Sequence, residues 1–274
     1  MCLGRLIMVA QLPTTPQDDL SQKLAPTVNN REMLQQLEKE RESLSAQCLL
    51  LGTGMILGMA FWNSGMALAL APLAVLVKRL QKVSQLIKIV GDILDKFESL
   101  GVELFIRLDV PNYQPIDLFV KFPTKDFVLL SIRSLGDCKI VYNEKTKALY
   151  AKRQKGKGLR QWKPDPINEL CEQEFWLRKY RRDLFGGSSK DSRRPLAKIL
   201  VLWQLTKVAN HAEHLYAIMD GQKFLCIRNK GTVSIIPSEK IINFIEAYLA
   251  HMKMPKTDER TPESGTDKSK TLSN

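Results

Sequence analysis

"IDLFVKFPTKDFVLLSIRS", residues 116–134, reads as two short apolar strands, with Asp117 near the start of the first and Arg133 at the far end of the second. A strand pair with an acid and a base at its ends is either the edge of a nuclease site or a plain piece of sheet. The flanking sequence has to supply the difference.

On both sides of this pair the pattern stays at period two. "VELFIRLDV" (102–110) predicts a strand before it, and "CKIVYNEKTKALYAKR" (138–153) predicts a hairpin turning around Asn143 to Thr146. "PDPINELCEQEFWLRKYRRDLFG" (164–186) predicts a helix that starts at Asp165-Pro166 and stops at Gly186, and "LFGGSSKDSRR" (184–194) then reads as a linker. "RRPLAKILVLWQLTKVANH" (193–211) predicts a further apolar helix. A hairpin turning at Asp220-Gly221 and a closing helix capped by Ser238 complete an α/β domain with a mixed sheet over 101–253. Residues 254–274 predict a disordered tail, since after Met254 the stretch 255–274 has no apolar anchor beyond Leu272.

Upstream, residues 1–28 predict a flexible leader and 29–47 an amphipathic helix with Asn30 as its cap. Residues 48–77 contain no charged side chain, and 30 uncharged residues exceed the roughly 20 that cross a bilayer as a helix. The expectation is a single membrane span, or a membrane hairpin broken at "WNSG" (62–65), or a buried soluble hairpin. Lys39 and Arg41 precede the run, whereas Lys78, Arg79, Lys82 and Lys88 follow it, so a membrane topology places the larger domain on the cytoplasmic side. Gly54 and Gly58 offer GxxxG spacing for helix packing and self-association, or for a membrane-protein partner in an assembly. Residues 78–100 restore amphipathic periodicity, as a helix at the headgroup surface, a coiled-coil partner, or the first helix of the soluble domain.

The whole chain of 274 residues carries a net charge of +12, which favours anionic partners, either nucleic acid or an anionic lipid surface. Much of the excess lies in 139–198, with 17 Lys/Arg against 7 Asp/Glu. Candidate contacts are Lys152, Arg153, Lys155, Lys157, Arg160, Trp162 and Lys163 in one cationic stretch, and Arg178, Lys179, Arg181 and Arg182 in another. The expected partners are DNA or RNA, or membrane lipid with Trp162 at the interface. The 5 cysteines are scattered without a CxxC pair, and His211 and His214 alone make a weak metal site, so a zinc or disulfide framework is not expected.

Gly101 and Glu103, then Asp117, then Ser131-Ile132-Arg133 followed by a hairpin, resemble the element and motif order of the nuclease-related domain, a branch of the restriction-endonuclease-like fold. The layout of a charged helix, a long apolar run and then this domain is similar to that of cyanobacterial membrane proteins. The resemblance implies a site in which an aspartate and a glutamate hold Mg²⁺ near a phosphate and a lysine serves the attacking water. Here Asp117 matches, but Ser131 stands at the acid and Arg133 at the lysine. A hydroxyl does not replace a carboxylate's charge, and arginine does not readily release its proton. The expectation is a membrane-anchored protein with a degenerate domain that binds an anionic partner without catalysis and needs no cofactor. Its alternatives are a Mg²⁺-dependent DNA-processing nuclease using Asp117 with Glu103, and an assembly or scaffold subunit of a membrane complex.

Overall fold

The structure, a computed structural model, describes residues 29–61, 66–153 and 158–253. The predicted leader, the WNSG break and the predicted tail lie outside the described residues. The chain groups into two compact units, Met1–Leu108 with Leu118–Val120, and Asp109–Asp117 with Lys121–Asn274.

In the first unit, α1 (Asn30–Phe61) packs on α2 (Met66–Phe97), and strand β1 (Glu103–Leu108) follows a short 3-10 turn. Met33, Leu37 and Leu44 are the buried residues of α1 among those whose burial is described, while Val83, Leu86, Val90, Ile93, Leu94 and Phe97 recur at three- and four-residue steps along α2. Helical periodicity puts each set on one face, so both helices bury an apolar stripe. The pair is clamped by charge. Arg31 at the start of α1 pairs with Glu98 beyond the end of α2, and Glu40 accepts from Arg79 at 3.0 Å and from Arg107 of β1 at 2.6 Å. Burial opposes the charge on Glu40, but Arg107 and Arg79 outweigh it and hold the carboxyl below its ordinary range. Asn30 caps the arrangement differently from a simple helix cap: its amide donates to the Val102 carbonyl at 2.7 Å and accepts from the Leu104 N–H at 3.1 Å.

This unit corrects the membrane reading. Among the described residues no helix is long and apolar enough to cross a membrane. The uncharged run is divided between the end of α1 and the beginning of α2, so each helix joins a short apolar arm to a charged amphipathic half. Neither arm supplies the roughly 20 apolar residues a span needs. With the span goes the predicted anchoring, single-pass or hairpin topology and cytoplasm-facing orientation. The stretch read as a connecting helix, 78–100, is the second half of α2 with its closing 3-10 turn, and α2 packs on α1 of its own chain.

In the second unit the strand order is β2 (Ile116–Lys121), β3 (Phe127–Arg133), β7 (Leu196–Leu202), β11 (Thr232–Pro237), β10 (Gln222–Arg228) and β9 (Tyr216–Met219). The middle of β2 groups with the first unit and its ends with the second. A tight turn, with the Phe122 N–H bonded to the Asp126 carbonyl at 3.0 Å, closes β2 and β3 into the expected hairpin. β3, β7 and β11 run parallel to one another, whereas β10 is antiparallel to β11 and β9. Parallel neighbours need a long crossover, and α3 (Pro166–Tyr180), in the connection from β3 to β7, packs on both strands. The closing helix α4 (Ile241–Lys253) packs on β9 and β11. Phe127 to Ile132 are all buried, which a strand achieves only when both its faces are covered. A second sheet has the order β6 (Leu159–Gln161), β5 (Ala148–Arg153), β4 (Cys138–Asn143) and β8 (Thr206–Val208).

The mixed α/β class expected from the sequence therefore stands, without the membrane helix placed before it. One element differs in kind. The helix predicted over 193–211 is two strands, β7 and β8, because a short continuous apolar run such as Ile199–Leu202 has no period that separates a buried strand from a buried helix. Strand β11 had no counterpart in the sequence reading. Ser238 opens a 3-10 turn without a cap hydrogen bond, and α4 begins at Ile241. The Asp220-Gly221 turn is as expected, with φ of 49° and 70° that suit a two-residue hairpin and favour glycine at the second position.

Candidate functional site

The β2–β3 hairpin brings Asp117, second in β2, level with Arg133, last in β3. Asp117 is buried and its Oδ2 accepts from the Ile132 backbone N–H at 2.6 Å and from Arg133 Nη1 at 3.1 Å. The other arm of the guanidinium, Nη2, donates to Glu169 Oε2 at 3.0 Å. Glu169 lies in the first turn of α3, whose start is set by Asp165: its Oδ1 accepts from the Ile167 N–H at 3.0 Å, and Pro166 occupies the position where a missing N–H costs nothing. Glu169 Oε1 accepts from the Gln114 N–H at 3.1 Å, and Gln173, one turn further on the same helix face, donates to the Gln114 carbonyl at 2.8 Å. The result is a bridge in which one arginine cation joins carboxylates from a strand and a helix. Its side chain is only 14% exposed, and a planar fork suits two acceptors where a lysine ammonium offers a point charge.

Above Glu169 opens a cleft of about 590 Å³, lined by Asn112, Tyr113, Gln114, Pro164, Asp165, Asn168, Glu169, Glu172 and Lys230. Three carboxylates against one ammonium make it a poor seat for phosphate. Burial raises the Asp165 carboxyl above its ordinary range, opposed by the amides of Ile167 and Asn168 and by Lys230.

The four residues expected at the catalytic position have different fates. Asp117 and Arg133 meet directly. Ser131 is buried at 2% exposure in the same strand as Arg133, a position in which it faces no solvent-borne substrate. Glu103 is exposed at the start of β1 and belongs to the first unit rather than to the unit that holds Asp117. Glu169 and Gln114 are the members the sequence reading missed. Glu169 stands 36 residues from Arg133, so only the placement of α3 against β3 joins them.

The Mg²⁺-nuclease alternative is corrected here. Among the described residues no group of three or more His, Cys, Asp or Glu side chains could hold a metal ion. The two carboxylates nearest the expected position share Arg133 instead, so a fixed monovalent cation stands where the resemblance calls for Mg²⁺. His211 and His214 do not converge on a metal either: His211 Nε2 accepts from the Tyr142 N–H at 2.9 Å, and His214 lies 2.8 Å from Glu144. The four described cysteines are free.

The predicted anion-binding residues divide into two groups. Lys152, Arg153, Arg160, Lys163, Lys179 and Arg182 are exposed. Trp162 is buried at 8% exposure, with its backbone N–H donating to the Leu149 carbonyl, and offers no interfacial ring. Arg178 is structural: it donates to Glu174 at 2.8 Å and to the Arg194 carbonyl at 3.0 Å, and covers the Phe185 ring at 5.2 Å. Arg181 pairs with Asp183 at 3.2 Å. Lys155 and Lys157 lie outside the described residues. Gly54 lies in α1, where an added Cβ would meet nothing within 4 Å, so this chain alone makes no close helix approach there; no side-chain environment is described for Gly58.

Compared with protein-family models, curated proteins and solved structures, the chain matches none.

Proposed function

We propose that this chain is a nucleic-acid-binding protein with the element order of a nuclease-related domain and an arginine in place of the metal. The observation that carries the choice of binding over cutting is the Arg133 bridge between Asp117 and Glu169. A phosphate entering above it meets the carboxylates of Asp165, Glu169 and Glu172, while Arg133 already has two anionic partners. Phosphate contacts therefore belong to exposed lysines and arginines away from the acidic cleft, such as those of 139–198. The order of helix, strand, strand, strand and hairpin supports the kinship in plan, and the net charge of +12 supports a polyanionic partner. Such contacts position a backbone without reading base sequence.

The test is a pair of measurements on the full chain. Fluorescence anisotropy with labelled oligonucleotides is expected to show binding that weakens as salt rises, because each neutralised phosphate releases counterions. Incubation of plasmid DNA with Mg²⁺ or Mn²⁺ is expected to leave it intact, and these ions are expected not to raise the melting temperature. Metal-dependent nicking abolished by Asp117→Asn, or no oligonucleotide binding at low salt, overturns the reading.

A further inference from the structure

In the second sheet the register places Lys207 of β8 opposite Lys139 of β4, and Lys139 opposite Lys152 of β5. The three form one row across adjacent strands, and all three are exposed. Their neighbours along β4 point the other way and are buried, Cys138 at 2% and Ile140 at 0% exposure, so the row lies on the sheet's outer face. Among the described residues none of the three has a carboxylate partner. Like charges directly opposite each other destabilise a sheet. Three in a row without counter-charge therefore have a cost to folding that packing does not explain.

Two strand spacings make the row about 10 Å long, and the flexible four-carbon stems of the lysines let the three ammoniums follow successive phosphates of one strand. The same face offers more than charge. Tyr150 is two residues from Lys152 on β5, paired with Val141 on one side and Gln161 on the other, and is partly exposed. Leu159, 54% exposed, lies directly across from Lys152. A cationic row beside an accessible ring and an apolar side chain is the composition of a stacking platform for unpaired bases, which a duplex keeps hidden.

We propose that the outer face of the β6-β5-β4-β8 sheet binds single-stranded nucleic acid, with Lys207, Lys139 and Lys152 neutralising successive phosphates and Tyr150 stacking on a base. This rests on the nucleic-acid reading above and names its surface and strand state. Lys139 bounds the basic stretch read from the sequence, whereas Lys207 lies outside it, since β8 was read as helix; the row itself exists only through strand register.

The test uses the full chain, a labelled oligothymidylate of about 16 nucleotides, the matching oligouridylate, and a duplex of similar length. The triple variant Lys139→Gln, Lys152→Gln, Lys207→Gln is expected to flatten the slope of log K against log salt by about 2, at about 0.7 per single-strand phosphate contact. Tyr150→Leu is expected to weaken single-strand binding about tenfold with little change in that slope. The urea midpoint of the triple variant should be equal to or above that of the parent, which separates lost contact from lost fold. If the parent binds oligonucleotide and the triple variant binds it with the same slope, the row is overturned while the broader reading survives; if the parent binds none, both fall. Duplex binding as tight as single-strand binding and indifferent to Tyr150→Leu overturns the single-strand assignment, and polyglutamate binding as tight as oligothymidylate overturns nucleic acid as the occupant.

Discussion

Arg133 is the residue on which the site turns. Arg133→Ala leaves the buried carboxylates Asp117 and Glu169 without their shared cation, and loss of one partner from such a bridge costs about 3–5 kcal/mol, readable as a fall in urea midpoint. Arg133→Lys should recover part of this, since an ammonium lacks the fork that reaches both acceptors. Asp117→Asn combined with Arg133→Ala is expected to cost less than the sum of the single changes, by about 0.5–3 kcal/mol, in a double-mutant cycle. His211 provides a pH-dependent counterpart. Burial lowers its imidazole below the ordinary 6.5, opposed by Ala209 and Glu144, and the neutral ring accepts the Tyr142 N–H. The unfolded chain binds this proton first as pH falls, so the stability contribution is complete above 6.5 and is lost as pH drops from there through the lower folded value. His211→Gln should therefore lose its disadvantage relative to the parent when urea midpoints are compared at about pH 7.5 and about pH 5.5. Asp117 and Arg133 were legible in sequence because adjoining strands of a hairpin bring near residues together. Glu169 was not, because no local spacing reports which helix will cover a strand.

Element by element, legibility follows pattern length. The β2–β3 hairpin, the β4–β5 hairpin with Asn143 Oδ1 accepting from Lys145 and Thr146, and the start of α3 at Asp165 all carry local turn or cap chemistry that points one way. Ile199–Leu202 carries none: an unbroken apolar run suits a strand covered on both faces as well as a buried helix. The uncharged stretch 48–77 misled for a related reason. Hydropathy counts charge along the chain, while the structure divides the run between two helices that pack together and leaves each only a short apolar arm. Leu37 tests this packing. It is 1% exposed on the buried stripe of α1, and Leu37→Ala is expected to destabilise the chain by about 2–5 kcal/mol in urea titration, whereas the same change at Leu50, 73% exposed, should be near neutral.

At the scale of the whole molecule, stability should be graded. Amides of β3 and β7, strands with runs of fully buried residues and hydrogen-bonded neighbours on both sides, are expected to exchange with solvent more slowly than those of β6 or the β9 edge in native-state hydrogen exchange; equal rates would contradict the sheet order. Composition determined the net charge of +12, which is independent of fold and favours polyanionic surroundings. Local pattern determined the mixed α/β class and most hairpins. Tertiary structure alone decided that Arg133 spans two carboxylates, that Trp162 and Arg178 belong to the packing rather than the surface, and that three lysines distant in sequence line up across β8, β4 and β5. The physical reason is range: turns, caps and periodicity act over a few residues, whereas strand register and helix docking join groups tens of residues apart.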